Sequence, residues 1–478
     1  MNRYIFSLLF LFLAGVVYPQ TSLQRFIDHA ALKHASVGVS VVELESGKSI
    51  AAYDEEKSLT PASVLKLITA ATAVEVLGEN YRYKTEIAID ADDPSRILVI
   101  GTGDPTLGSE VFPENPDAFF INGVEALKKS LPADKEYSIY VVDNLFGYSG
   151  ISPEWTWIDI GNYYAPGAYG ISIYDNSYRL VFNTTDRNNP PRILRTEPEI
   201  KGLTFQNSLS LNTTGRDNGY IYGVPFSYER SLRGNIPVGR SEFSIKGDIP
   251  DPGLLLGETL AEQMRSAGYK VGKVETDRVD YLSRNSPSVQ SAPYRIGNVI
   301  FTRVSRPLKE IIREVNVESN NHYAEHLIRS IGRRGDGNIY SDALEEGIKQ
   351  ILKHWDEIGL DTTPLLMYDG SGLAPQNAVS ARFLTDLLVY MYNRSDYSTA
   401  FFQSLPKAGQ EGTLQNFLRG TRLNGKVMAK SGSIGGVQCY SGYLIDGNKR
   451  YAFAILVNKF NGTRTQVRSA IKQLLLGL

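Results

Sequence analysis

The segment that limits the fold most strongly runs from Thr60 to Leu77. Thr60 and Pro61 break the strand-like text before them, and from Ser63 to Leu77 there is no Gly or Pro. Apolar residues are spread all round the helical wheel, so a helix here has no face for water and belongs in the interior. The rest of the chain has to be wrapped around it. Lys66 nevertheless sits near its start. Burying an ammonium is costly unless it is paired, and desolvation lowers its pKa, which turns a lysine into a base. Ser63 lies three residues earlier on the same face, at the helix N-terminus, where free N–H groups and the dipole favour negative charge. That is the arrangement an activated Ser–Lys nucleophile needs. Ser-x-x-Lys is also a common chance pattern, and a Ser cap followed by a lysine reaching for the surface reads the same way.

Composition narrows the alternatives. The 478 residues leave room for two or three domains, and 42% hydrophobic with 21% charged residues is a globular balance. A formal charge of -2 without a basic block excludes nucleic acid held through its phosphates. The single cysteine, Cys439, excludes a disulfide framework and a multi-cysteine zinc site, and reads as a small buried strand residue. Five histidines leave little material for a His-rich metal centre, and 43 Gly with 28 Tyr lean towards strands and turns.

Residues 1–20 read as a secretory signal peptide: Arg3 supplies the positive start, and Tyr4 to Val17 is an apolar core too short for a membrane span of about 20 residues. The mature chain is therefore expected to be exported to the periplasm of a bacterial envelope and soluble, with peripheral association to membrane or cell wall left open. Val37 to Leu44 and Ile50 to Tyr53 alternate as strands around a turn at Glu45 to Lys48. Gln438 to Ile445 and Tyr451 to Val457 flank Asp446-Gly447-Asn448, a strong hairpin signal. Strands at both ends with helices between predict one antiparallel sheet built from the two termini. Residues 21–83 and 294–478 are expected to form this split catalytic domain. Residues 84–293, rich in Tyr, Gly, Pro, Asn and Asp, are expected to form a β-rich insertion of one or two sub-parts. Helices are predicted at Leu308 to Val315, Asn321 to Ile331 and Ser341 to Ile358. Trp155, Trp157, Tyr163 and Tyr164 are read as aromatic core, with a substrate-contacting patch as the alternative.

Two further motifs follow the Ser-x-x-Lys. Ser319 and Asn321 form Ser-x-Asn before a helix, and Lys430-Ser431-Gly432-Ser433 carries Lys-Ser/Thr-Gly ahead of a C-terminal strand. Each is weak alone. In this order the three form the motif trio of penicillin-binding proteins and serine β-lactamases. The chain resembles a class C low-molecular-mass penicillin-binding protein of the D-alanyl-D-alanine carboxypeptidase/endopeptidase family. Gly101-Thr102-Gly103-Asp104-Pro105-Thr106-Leu107, Asp369-Gly370-Ser371-Gly372-Leu373, and Gly409 with Glu411-Gly412-Thr413-Leu414 resemble further family stretches. Over half of the chain separates Ser63 from Ser319, as the family's insertion requires. Ser431 stands where Thr is commoner, and keeps the hydroxyl.

The resemblance implies a mixed α/β fold of the serine β-lactamase/penicillin-binding-protein type, an antiparallel sheet covered by helices. It implies an acyl-enzyme on Ser63 with Lys66 as base, Ser319 as proton relay and Asn321 orienting Lys66 and the substrate amide. Lys430 and Ser431 would hold the terminal carboxylate, and the backbone N–H groups of Ser63 and Ser433 the oxyanion. The implied substrate is a peptidoglycan stem peptide ending in D-Ala-D-Ala, β-lactams are implied as covalent inhibitors, and no metal or organic cofactor is required. Three rivals stand beside this. His322-Tyr323-Ala324-Glu325-His326 fits a His-x-x-Glu-His metallopeptidase pattern, without a local third ligand. A non-catalytic penicillin-binding module that senses peptidoglycan would carry the same motifs. A β-lactamase is disfavoured: there is no Glu-x-x-Leu-Asn segment, and Ser319 stands where class C β-lactamases usually have Tyr.

Overall fold

The computed structural model describes residues 19–147, 149–277, 294–335 and 342–478. The expected signal peptide lies outside the described residues, apart from Pro19 and Gln20, which open helix α1 (Pro19–Ile27). Strands β1 (Ser36–Glu43) and β2 (Ser49–Tyr53) form a hairpin, and a 3₁₀ turn over Ala62–Leu65 runs into α2 (Lys66–Leu77). Every residue of α2 from Lys66 to Val74 is buried, as the absence of a polar stripe demands. Its own hydroxyls find partners inside. Thr69 Oγ1 donates to the Gly370 carbonyl at 2.7 Å, and Thr72 Oγ1 donates to the Ile68 carbonyl at 2.8 Å while accepting from the Trp355 indole at 2.8 Å.

The chain then leaves the first domain. Strands β3 (Lys84–Asp90), β4 (Arg96–Gly101) and β5 (Glu136–Val142) surround helix α3 (Ala118–Ser130) in sequence. A second sub-part holds β6 (Ser177–Asn183), β7 (Arg192–Glu197), β8 (Thr204–Asn207), β9 (Ser210–Asn212), β10 (Asn218–Tyr222), β11 (Glu229–Pro237) and β12 (Phe243–Asp248). Helix α4 (Pro252–Ser266), β13 (Lys270–Thr276) and β14 (Ile296–Val304) return to the first sub-part. Its sheet runs β13-β5-β4-β3-β14, with α3 and α4 packed through Leu127, Leu256 and Leu260 onto Ile87, Ile97 and Val99.

Two differences from the sequence reading follow. Among the described residues, the expected β-rich stretch also contains two helices and four parallel strand pairs, β13 with β5, β4 with β5, β11 with β8 and β11 with β9. Composition averages over such helices, although Asp251, which caps α4 by accepting from Leu254 N at 2.9 Å, and Pro252 in its first turn are local start signals. The boundary also moves. Ile296–Val304, assigned by sequence to the catalytic part, pairs antiparallel with β3, placing Val304 opposite Lys84. The free edge of β3 needs a partner, and this pairing brings the exit of the insertion beside its entrance. There Ser305 N donates to the Tyr83 carbonyl at 3.0 Å.

The remaining helices are α5 (Leu308–Val317), α6 (Asn321–Gly335), α7 (Ala343–Ile358), α8 (Ala381–Asn393) and α9 (Ser398–Ser404). Strands β15 (Val427–Ile434), β16 (Val437–Asp446) and β17 (Lys449–Asn458) and helix α10 (Arg464–Gly477) complete the fold. The two termini do build one antiparallel sheet, in the order β15-β16-β17-β1-β2, with Val39 opposite Ile455. Its faces are covered by α1 and α10 on one side and by the α2-centred helices on the other. Among the described residues, no helix is long and apolar enough to cross a membrane.

The indole of Trp355, fully buried, joins the hydrogen-bonded interior of α2 to α7. Trp355→Ala is expected to cost about 3–5 kcal/mol, the usual range for emptying such a site, read as a shift of the urea midpoint. A loss below about 1 kcal/mol would show that α2 does not depend on this packing.

Candidate active site

Three segments distant in sequence meet at the start of α2. Ser63 sits in the 3₁₀ turn, pinned from the end of β17. Asn458 accepts from Thr60 N at 2.8 Å and donates to the Thr60 carbonyl at 2.9 Å. Ala62 takes the left-handed φ of +47°. Two glycines let neighbouring segments touch this turn. A Cβ on Gly432 of β15 would lie 2.4 Å from the Pro61 carbonyl and 3.1 Å from Ser63 N. A Cβ on Gly372 would lie 2.0 Å from the Ala62 carbonyl.

Lys66 is 0% exposed. Its Nζ lies 3.0 Å from Ser63 Oγ, 2.6 Å from Asn321 Oδ1 and 2.6 Å from the Ser371 carbonyl. Burial lowers its pKa to about 7, against the opposing charges of Asp369 and Glu325. The geometry fixes what the neutral amine does. Two of its neighbours, Asn321 Oδ1 and the Ser371 carbonyl, can only accept, so they take the two N–H groups and the lone pair is left for the Ser63 hydroxyl.

Asn321 opens α6. Its Nδ2 donates to the Tyr164 carbonyl at 2.7 Å, which orients Oδ1 towards Lys66. Ser319, held at a left-handed φ of +61°, accepts from Lys430 Nζ at 2.8 Å. Lys430 also donates to the Ser431 carbonyl at 2.8 Å. It too is fully buried, and burial together with the Lys66 charge drives its pKa well down. Ser431 Oγ donates to Thr413 Oγ1 at 3.0 Å, and the Ser433 hydroxyl meets Arg464. All eight residues singled out by sequence, Ser63, Lys66, Ser319, Asn321, Lys430, Ser431, Gly432 and Ser433, thus lie in one constellation. It opens into a cleft of about 510 Å³ whose far wall comes from the insertion, through Thr156, Ile158, Asp159 and Tyr164.

Several contributors have roles that the sequence reading did not assign. Glu325, considered there only within a rival metal pattern, accepts from Gly370 N at 3.0 Å and Ser371 N at 2.9 Å and pairs with Arg329 at 2.7 Å. It thereby holds the loop whose carbonyl receives Lys66. Asp369 accepts from Gly372 N and Ala374 N, both at 2.7 Å, and from the Trp155 indole at 2.9 Å. Thr413 lies in a stretch that resembles the family but was given no role there, and Arg464 carries no motif that marks it. The metallopeptidase alternative finds no support: His326 has Ser172 Oγ at 2.7 Å and the His322 carbonyl at 2.8 Å on its two ring nitrogens, and Glu325 is committed to Arg329 and the loop. Among the described residues no three His, Cys, Asp or Glu side chains converge as a metal site. Cys439 is buried with its thiol pushed up to about 12 by desolvation, an inert strand residue. The aromatic group divides: Trp155 is core, while Trp157 is 58% and Tyr163 53% exposed.

Comparisons with known proteins agree in one direction. The sequence profile of the D-Ala-D-Ala carboxypeptidase 3 (S13) family matches residues 20–476. A D-alanyl-D-alanine carboxypeptidase of an Actinomadura species is 28% identical over 457 residues, which cover 92% of this chain and 81% of that protein. The D-alanyl-D-alanine carboxypeptidase DacB of Haemophilus influenzae is 20% identical over 441 residues, 89% of this chain and 86% of its own. The crystal structure of penicillin binding protein 4 from Haemophilus influenzae has a TM-score of 0.76 at 18% identity, covering 95% of this chain and 97% of that one. That likeness shows the shared fold.

Gly432→Ala tests the close approach of β15. The added methyl must displace the turn that carries Ser63. A displacement on the ångström scale is expected to slow acylation by about 100-fold while circular dichroism stays that of the parent. Acylation at the parental rate would show that the contact is not needed.

Proposed function

The chain belongs to the D-Ala-D-Ala carboxypeptidase 3 (S13) family, and from that premise we propose that Ser63 is its nucleophile, Lys66 its base and the cleft above them the seat of the stem peptide. The observation that carries the reading is the 3.0 Å approach of the buried Lys66 amine to Ser63 Oγ, with both competing neighbours of that amine being acceptors. As a serine D-Ala-D-Ala carboxypeptidase, the enzyme cleaves by acyl transfer. Neutral Lys66 takes the Ser63 proton, and Oγ attacks the carbonyl of the penultimate D-Ala. The oxyanion rests between the N–H groups of Ser63 and Ser433. The C–N bond breaks as Ser319, backed by Lys430, delivers a proton to the departing amine. Water then hydrolyses the ester and restores Ser63.

Lys430 and Ser431 hold the terminal carboxylate in this reading, a charge-assisted contact. Asn321 orients Lys66 and keeps one amide hydrogen for the substrate. Where the departing amine belongs to a cross-link rather than to free D-Ala, the same steps make the enzyme an endopeptidase. β-Lactams acylate Ser63 because their ring amide presents the same carbonyl. The substrate lies outside the cytoplasmic membrane, and residues 1–20 read as an export signal, so the proposed compartment is the periplasm, at the cell wall.

Mass spectrometry after incubation with penicillin is expected to place one adduct on Ser63 and none on a Lys66→Ala protein of unchanged fold. An adduct on another residue removes the assignment of the nucleophile, and normal acylation of the Lys66 variant removes that of the base. The pH dependence has a definite sign. Burial lowers the Lys66 pKa to about 7, and only the neutral amine accepts the proton, so the acylation rate should rise with pH through about 7 and level above it. A stopped-flow profile that is flat from about pH 6 to 8 would contradict Lys66 as base.

A further inference from the structure

We propose that the insertion carries a sugar-binding subsite that holds the glycan portion of peptidoglycan while its stem peptide occupies the catalytic cleft; this rests on the reading of the cleft given above. The segment Thr156–Asp159 is a wall shared by two cavities. Thr156, Ile158 and Asp159 line the catalytic cleft, whereas Trp157 between them lines a second cavity of about 540 Å³. The segment is a closed turn: Thr156 Oγ1 donates to Asp159 Oδ2 at 2.5 Å and Asp159 N to the Thr156 carbonyl at 2.9 Å. It holds Trp157 outward in spite of the cost. The chain has three tryptophans; Trp155 and Trp355 are 5% and 0% exposed, but Trp157 is 58% exposed. A large indole left mostly in water forgoes the stabilisation that burial would give it, so its position calls for an occupant.

The chemistry of the second cavity indicates which occupant. Its aromatic walls are Trp157, Phe205 and Tyr222, with the Trp157 and Tyr222 rings 6.0 Å apart and tilted by 34°. Arg233 lies over the Tyr222 ring at 5.6 Å. The polar part includes Thr204, Gln206 and Ser231, the last donating to Gln206 at 3.1 Å, together with Ser227, Glu229 and Arg230. A pyranose presents an apolar face of C–H groups, which suits the negative face of an aromatic ring, and an edge of hydroxyl and acetamido groups, which suits an amide and hydroxyls. The substrate links the two cavities covalently. In a stem peptide the sugar is attached three residues before the scissile carbonyl, roughly 10 Å away in extended chain. The segment Thr156–Asp159, which borders the cleft holding Ser63 on one side and the second cavity on the other, is the wall that this reach has to cross. Occupying both cavities makes the second contact intramolecular and raises affinity for wall-linked stems over free peptides.

The test compares two probes on the full mature enzyme: a disaccharide pentapeptide fragment of peptidoglycan and the same pentapeptide without sugar. The expected kcat/KM ratio favours the first by about tenfold, and Trp157→Ala and Tyr222→Ala each bring the ratio towards unity. A parental ratio of unity, or a ratio that neither substitution moves, overturns the subsite. An equal loss on both probes assigns Trp157 a structural role and overturns it as well. If neither probe is cleaved while penicillin still labels Ser63, the peptidase reading itself fails and the subsite falls with it.

Discussion

Desolvation of one amine organises this protein. A lowering of the Lys66 pKa from its ordinary value to about 7 corresponds to about 5 kcal/mol against the ammonium form relative to water. A chain accepts such a penalty only where the surroundings compensate it. Here three oxygens within hydrogen-bond distance do so, two of them from segments far away in sequence. Glu325 and Asp369 never touch Nζ, yet they work for it twice. Their charges oppose the fall of its pKa, and their oxygens hold the backbone of the loop that supplies the Ser371 carbonyl. Burial raises the pKa of Glu325 itself, and the almost fully buried Glu325–Arg329 ion pair works against that rise.

The same requirement explains why the insertion is more than an appendage. Its segment from Gly150 to Ser172 lies against the catalytic elements at several points. The Gly150 carbonyl accepts from Arg329 at 3.0 Å, Ser152 Oγ donates to the Tyr368 carbonyl at 2.7 Å, Trp155 reaches Asp369, and the Tyr164 carbonyl orients Asn321. Interrupting the catalytic domain between β2 and β15 thus lets one excursion return a second layer of support. Because β14 closes beside β3, the excursion begins and ends at one place, and its removal would leave Asn321 and Asp369 each short of a partner.

How much of this was legible in the sequence depends on the kind of signal. The all-round apolar helix with its lysine, the terminal strands and the Asp446-Gly447-Asn448 turn are local patterns with local causes, and the structure has α2, β16 and β17 where they predict. The trio of motifs named the residues that converge, since each carries its own chemistry. The role of Glu325 was not legible: His322 and His326 beside it offer a rival ligand pattern at helical spacing, and only tertiary contacts reveal that it also holds a loop 45 residues on. Strand β14 was assigned to the wrong part because pairing partners more than 200 residues apart leave no mark in either strand alone. Exposure of Trp157 beside a buried Trp155 was equally invisible: neighbouring residues on an irregular segment point to opposite sides without a period to announce it.

The two lysines of the site show how one interior can give like residues unlike tasks. Both are fully buried, and burial is the largest influence on each. Lys66 has two carboxylates opposing the fall, and settles near neutrality, where an amine is both largely available and still basic enough to take a hydroxyl proton. Lys430 has Lys66 itself pressing it further down, with Glu318 alone on the other side. In the proposed mechanism the missing counter-charge is the substrate's own terminal carboxylate. Its arrival favours the ammonium form of Lys430 and adds repulsion at Lys66, keeping the latter neutral when Ser63 must lose its proton. Recognition of the substrate's end and activation of the nucleophile are then one electrostatic event, which requires both amines to be dry and within reach of each other's field.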